Sequence, residues 1–386
     1  MRRFCSLAVF VLICGCCCLA QGLSLWDISN IDDIKNNPAR AIDRGKILEQ
    51  AQAFLQAPLV IVTDKKWSFA DDMHYYTSMA PYWWPVEKDG KVIYENRDGL
   101  VNPQSNELDK KKISILSERL KYFSLAYYFT EDEQYYEAFI QQIDAWFINK
   151  KTYMYPNFLY SQIVPGRGGN FGRPIGILEG YPFITAMESI RLMQSARSIG
   201  RWRTRKLVRW FREMGDWIET SDLGKKDALS NSNSGIAYDA LLTDISLFVG
   251  NNERAQRIIQ AFPENRIYKQ IEEDGKQPAE LARTKAFEYS VYNLEFFITF
   301  CSISNAAGID TYNSNKERIN AAFLYLLQFI GNTDNFPYSQ ITDWRQQEVR
   351  LYRLIAETRK LNPKIEIELR TSDMLMEKNT KGWILF

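Results

Sequence analysis

Residues 113–147 read ISILSERLKYFSLAYYFTEDEQYYEAFIQQIDAWF. In the first half, Ile113, Leu116, Leu120, Phe123 and Tyr127 recur at steps of three and four. In the second half the pattern resumes with Tyr136, Phe139, Ile140, Ile143, Trp146 and Phe147. That period belongs to helices with one apolar face, so the stretch predicts two of them. Thr130 and Glu133 stand at capping-box spacing, which predicts that one helix ends and the next begins there. So short a turn folds the two into an antiparallel hairpin.

Similar pairs extend toward the C-terminus, over roughly 175–198 with 203–220, 234–249 with 253–262, and 278–308 with 316–331. A last helix covers roughly 341–360. Strand signals are weak, the best being the β-branched run Leu59–Thr63. Repeated αα units without a strict sequence period predict an all-α toroid or solenoid. No Pro/Ser-rich linker divides the chain, so residues 21–386 are expected to form one domain. The tail ending in Trp383-Ile384-Leu385-Phe386 is expected to pack back on it.

The N-terminus predicts export. Arg2 and Arg3 precede an apolar run, Leu7–Cys18, that is too short for a membrane span with these flanks. Residues 1–20 therefore read as a signal peptide. Either it is cleaved after Ala20, or Ile13-Cys14-Gly15-Cys16 is a lipobox that makes Cys16 a lipidated N-terminus. The protein is then periplasmic, or an anchored lipoprotein on a bacterial surface such as the outer membrane. Five of the six cysteines fall in this segment, which leaves Cys301 as a buried filler and no intramolecular disulfide.

Several function classes drop out. A formal net charge of +1 gives no global field for nucleic acid. A single histidine, His74, and no cysteine pair outside the leader speak against a metal site, and no cofactor motif is present. Gly166-Arg167-Gly168-Gly169 lacks the strand-before, helix-after setting of a phosphate loop. The basic stretch Arg197–Arg212 reads as the solvated face of a helix rather than a polyanion site.

Chemistry is expected where the helical period breaks. The break at 64–106 carries Tyr75, Tyr76, Tyr82, Trp83, Trp84 and Pro85. The break at 154–180 is rich in Gly, Pro and Asn, and the break at 229–235 is polar and leads into a helix. Loops this long and this aromatic are usually functional. Aromatic faces stack on sugar rings, although most aromatics here are expected to fill the core.

Four segments, in order, resemble the alginate lyase family. The first is Ser78-Met79-Ala80-Pro81-Tyr82-Trp83-Trp84-Pro85, with Arg97-Asp98-Gly99 and Asn102-Pro103. The second is Leu125–Thr130 with Ala145-Trp146-Phe147, Pro156-Asn157, Gln162 and Pro165-Gly166. The third is Asn233-Ser234-Gly235 with Tyr238-Asp239. The fourth is Asp274–Pro278 with Glu280–Thr284 and Tyr289. The resemblance implies an incomplete (α/α) toroid of antiparallel helical hairpins with a substrate groove. It also implies eliminative cleavage of an anionic uronate polysaccharide. Two family histidines are replaced, the usual catalytic one by Ser234 and another by Glu288.

β-Elimination removes the proton at C5 of a uronate and expels O4, so the neighbouring carboxylate must be neutralised. Asn233 and Arg283 suit that task, as an amide donor and a permanent cation able to grip a carboxylate bidentately. Tyr289 suits the proton transfer, with an Arg cation lowering its pKa. One tyrosine can serve both steps if H5 and O4 lie on one face of the sugar (syn geometry). Tyr82, Trp83, Trp84, Gln162 and Tyr238 are expected to bind substrate, with Tyr292 in reserve for Tyr289. Tyr292 and His74 are also expected to touch substrate, with His74 either a substitute base or a structural residue at the loop edge. Duller roles stand beside these. Tyr289 shares a helix with Phe287, Tyr292 and Phe296 and could be core. Asn233 could be an N-cap, and Arg283 could pair with Glu280 or Glu288. Two rival readings are a catalytically inactive glycan-binding protein, and a glycoside hydrolase using Asp239 and Glu288. The oligomeric state is left open.

Overall fold

A computed structural model of the chain describes residues 22–362. The expected leader, Cys16 and the C-terminal tail lie outside them. Helices Lys112–Thr130 and Glu133–Ile143 form the predicted hairpin. The link between them is built differently from the capping box. Glu131 turns the chain in the left-handed region (φ 56°), and Asp132 caps the second helix by accepting from the Gln134 N–H. Thr130 instead donates to the Ala126 carbonyl.

Helices Phe183–Ala196, Asn233–Phe248 and Ala286–Ala306 follow Lys112–Thr130 in an inner row, each packing on the one before. The inner helices bury residues on more than one side, as helices covered by two layers do. Every residue of Asn233–Phe248 is buried. Outer helices carry a single stripe. Arg201–Thr220 buries Leu207, Val208, Trp210, Phe211, Met214, Gly215 and Ile218, and its other face is polar. There Arg209 pairs with Glu213, and Arg203 reaches Asp144 of the neighbouring turn. Phe147, Phe183, Trp210 and Phe211 interlock between the layers, with Phe147 and Trp210 edge to face at 4.8 Å. Each such buried ring contributes about 1.5–3 kcal/mol.

The ends of the series approach each other. Lys360 donates to the Leu25 carbonyl. Glu188 accepts from the backbone N–H groups of Ser24, Leu25 and Trp26 at 3.1, 2.7 and 2.8 Å. Arg191 bridges Glu188 to Asp244 on the next inner helix, at 3.2 and 2.7 Å. No described helix is long and apolar enough to cross a membrane.

Three expectations about local structure need correction. Leu59–Thr63 is not a strand, because the Val60 backbone is satisfied by the side-chain amide of Gln142 (3.1 and 2.7 Å). Strands form instead in the two long breaks. Strand β1 (Thr77–Met79) pairs in parallel with β4 (Tyr160–Ile163), while β2 (Trp83–Lys88) and β3 (Lys91–Asn96) make a hairpin. Asp89-Gly90 turns that hairpin with both φ positive (52° and 69°), the geometry that suits the twist of two strands. The helix expected at 278–308 is split into Pro278–Leu281 and Ala286–Ala306. Arg283 sits in the gap and so leaves the helical ladder.

Candidate active site

The two long breaks and the inner helix ends enclose a cavity of about 630 Å³. Tyr82 and Trp83 enter it at the foot of the hairpin. Asn233 comes from the first turn of its helix, and Tyr289, Tyr292 and Glu288 come from Ala286–Ala306. Gln162 reaches it through a distortion of β4. Register with β1 slips between Thr77 and Met79, and Gln162 takes a positive φ of 54°. Bulges and positive φ at a non-glycine residue re-aim a side chain at local cost, and this one turns Gln162 inward.

The gap residue Arg283 is fixed by Asp98, just beyond β3. Its Nε lies 3.1 Å from each carboxylate oxygen, and its Nη2 lies 2.6 Å from Oδ1. Thr284 adds its N–H and hydroxyl to the same carboxylate, each at 3.0 Å. Gly99 lies against them with φ +74°, and a Cβ there would stand 2.5 Å from Thr284 Oγ1. Burial pushes the Asp98 carboxyl up, but the bonds from Arg283 and Thr284 outweigh it and hold it at about 2. The Arg-Asp-Gly run of one segment therefore docks on the Arg-Thr run of another, some 185 residues away.

Held there, the guanidinium lies over the Tyr289 ring, 4.0 Å from its centroid. The Tyr289 hydroxyl donates to the Tyr82 hydroxyl at 2.6 Å. The expected fall in the Tyr289 pKa does not occur. Burial raises it and the Tyr82 oxygen adds to the rise, while Arg283 pulls the other way and loses. Asp98 neutralises much of the cation that was to lower it. Tyr289 rests as a phenol.

Asn233 does not act as an N-cap. The helix begins at Asn233 itself, after Ser232, which makes no side-chain cap. Its backbone N–H and its amide Nδ2 both donate to Glu280, each at 2.8 Å. Burial raises the Glu280 pKa against those bonds. Arg283 pairs with neither Glu280 nor Glu288, and the bidentate edge foreseen for a substrate carboxylate is occupied by Asp98. Asn233 Oδ1 and Arg283 Nη1 carry no hydrogen bond among the described residues.

Three expected binding residues lie off the cavity. Trp84 faces the other side of the hairpin, bonded to the Leu100 carbonyl and covered by Arg97. Tyr238 is buried in its helix with its hydroxyl on the Ile218 carbonyl. His74 bonds the Tyr153 carbonyl at 2.6 Å and stacks on Tyr155, so its setting is structural. Asp239 is buried against Arg266 at 2.7 Å, which removes one of the two carboxylates a hydrolase would need.

Other cavity residues carry no local signature in the sequence. Arg350, on helix Trp344–Thr358, lies 5.0 Å from the Tyr292 ring centroid and is clamped by Glu295. Lys110, Arg173 and Glu179 also line the cavity. The Gly and Pro residues around Arg173 and Glu179 were the one available hint.

The sequence profile of the alginate lyase family matches residues 62–336. The chain belongs to the alginate lyase family. It is accordingly a polysaccharide lyase, on the incomplete (α/α) toroid that the helical hairpins build. A crystal structure of an alginate lyase from Bacteroides ovatus is similar to it at 32% identity, with a TM-score of 0.84, covering 89% of this chain and 93% of that one. Alginate lyase A1-III from Sphingomonas species A1 shares the fold at 16% identity (TM-score 0.52; 82% and 87% covered). A variant of that enzyme complexed with a tetrasaccharide is likewise similar, at 17% identity (TM-score 0.54; 82% and 87% covered). No curated relative matches. At the position of the expected family histidine, Ser234 points inward. Its hydroxyl bonds Asp227 and Ser230 at 3.0 and 2.9 Å, away from the cavity.

Proposed function

We propose that the protein cleaves a 1,4-linked uronate polymer, of the polymannuronate, alginate or glucuronan kind, by syn β-elimination centred on Tyr289. The observation that carries this reading is a buried phenol that lines the cavity, lies under the Arg283 cation and is bonded to a second phenol. Once Tyr289 gives up its proton, the Tyr82 hydroxyl 2.6 Å away is placed to turn and donate to the phenolate oxygen. Arg283 favours that anion from above the ring.

The phenolate of Tyr289 takes the C5 proton. The C5–H electrons form the C4=C5 double bond, and the C4–O4 bond breaks. O4 leaves with the proton that Tyr289 returns. In mannuronate and glucuronate, H5 and O4 lie on one face of the ring, so a single group serves both steps. The open Nη1 of Arg283 and the second N–H of Asn233 Nδ2 supply donors to the substrate carboxylate as charge builds on it. Trp83 and Tyr292 offer ring faces for the flanking sugars.

Ultraviolet absorbance of the unsaturated product, measured on a panel of uronate polymers, tests the proposal. Wild type is expected to produce it, and Tyr289→Phe to lose about a hundredfold or more in rate. An unchanged rate in Tyr289→Phe would dispose of the mechanism. We further propose that the enzyme is exported, on the strength of Arg2, Arg3 and the apolar run that follows. Labelling of Cys16 with a radioactive lipid precursor would separate lipidation there from cleavage after Ala20.

A further inference from the structure

The cations that line the cavity fall into two kinds. Arg283 and Arg350 are each bonded to a carboxylate, Asp98 and Glu295. Lys110 and Arg173 are in no ion pair among the described residues. Lys110 makes one long hydrogen bond, 3.4 Å to Ser105 Oγ, and the Arg173 guanidinium lies 5.8 Å from the Trp83 ring centroid. Burial lowers the pKa of both, and the carboxylate whose charge each of them feels is Glu179. Half-buried cations without partners cost free energy unless something compensates them.

Glu179 is itself held for a purpose its own bonds do not explain. Its Oε2 accepts from the Tyr76 hydroxyl at 3.0 Å and the Ser78 hydroxyl at 2.5 Å. Its Oε1 is buried without a hydrogen bond of ordinary geometry. The backbone that presents Arg173 and Glu179 is pressed on β4. A Cβ at Gly172 would stand 2.6 Å from the Ser161 carbonyl oxygen, and one at Gly176 2.1 Å from Ser161 Oγ. This wall is therefore placed by close backbone packing rather than by chance exposure.

We propose that Lys110, Arg173 and Glu179 form a second carboxylate subsite, which holds the uronate unit next to the one that reacts at Tyr289. The two cations take the incoming carboxylate, which displaces Glu179 as their counter-charge. The proposal rests on the uronate reading above. A polymer with one carboxylate per sugar presents a second anion one residue away from the first, and these are the cavity cations left to meet it.

Binding is then coupled to a proton. The groups facing Glu179 are Tyr76, Ser78, Gln162, Lys110 and Arg173. Burial raises the Glu179 carboxyl, with Ser78 and Tyr76 opposing, to about 7. An arriving carboxylate repels the ionised form and draws the cations away, so it raises that pKa further. Glu179 takes up a proton as substrate binds, and affinity falls as pH rises above neutrality.

Steady-state kinetics of product absorbance, on wild type, Lys110→Gln, Arg173→Gln and Arg173→Lys, test the subsite. Removing one charge-assisted contact is expected to raise KM about tenfold to a hundredfold with kcat little changed. Arg173→Lys should recover most of the loss. Calorimetric binding of an oligouronate to Tyr289→Phe, in buffers of different ionisation enthalpy near neutral pH, should show proton uptake that disappears with an added Glu179→Gln. Unchanged KM in both Gln variants with native circular dichroism, a loss confined to kcat, or no proton uptake would each overturn the subsite. Should wild type turn over no uronate polymer, the lyase mechanism fails. The same calorimetry on wild type and Lys110→Gln still decides whether this wall binds uronate.

Discussion

At the residue scale, Asp98 does two things at once. It anchors Arg283 above Tyr289, and it cancels part of the charge that would ionise the phenol. Its carboxyl is depressed to about 2 in the folded chain against an ordinary value near 4, so its stabilising contribution is fully present above that ordinary value. The contribution is lost as pH falls through about 2. The shift corresponds to about 2 kcal/mol. Asp98→Asn is therefore expected to unfold more readily at neutral pH and to show a flatter stability profile between mild and strong acid, as read by thermal melts across pH. It should also slow turnover, because Arg283 loses its tether. Tyr289 and Arg283 were legible in the sequence because a family motif marks them. The direction of the Tyr289 pKa was not, since it is set first by burial and then by Tyr82 from a distant segment.

At the element scale, the site depends on short irregular pieces inserted among regular helices. The segment Gly172–Gly176 must lie against β4, where Ser161 leaves no room for a side chain. Gly172→Ala would push on the backbone of Ser161 and Leu159. It is expected to cost about 1–3 kcal/mol and to raise KM, since Arg173 rides on that segment; urea unfolding and product absorbance measure the two effects. Glu188 plays the matching role for the N-terminal segment. Glu188→Ala leaves three backbone N–H groups without their acceptor and Arg191 with Asp244 alone, at a cost of about 3–5 kcal/mol by urea unfolding, with little direct effect on chemistry. The regular helices were readable from period alone to within a few residues in most cases. The hairpin Trp83–Asn96 carries a turn signal in Asp89-Gly90, but its strands lack the apolar alternation of a half-buried sheet. The gap at Ala282–Lys285 was not readable, because helix-forming residues run through it and the Asp98 contact overrides their propensity.

At the scale of the whole molecule, a row of largely buried inner helices is backed by striped outer ones, and the breaks between them supply the chemistry. Residues from widely separated stretches, from Pro81 to Arg350, meet in one cavity. The toroid was legible because apolar period is a local property. Much of the site was not, because Lys110, Arg173, Glu179 and Arg350 come together only through packing. Tyr238 and Trp84 illustrate the converse. Each sits beside a motif, yet helical or strand phase turns each away from the cavity. The uneven electrostatics of the cavity follow from the same assembly, with Arg283 and Arg350 paired to carboxylates and Lys110 and Arg173 in no ion pair among the described residues. High salt is expected to raise KM for a uronate polymer more in wild type than in Lys110→Gln, as measured across a chloride series.

The most direct test of the account compares wild type, Tyr289→Phe and Tyr82→Phe on polymannuronate and glucuronan, following the absorbance of the C4=C5 product. Expected are turnover by wild type, near-complete loss in Tyr289→Phe, and a smaller loss in Tyr82→Phe, whose hydroxyl assists the proton transfer without performing it. Full activity in Tyr289→Phe, or binding of both polymers without any unsaturated product from wild type, would contradict it.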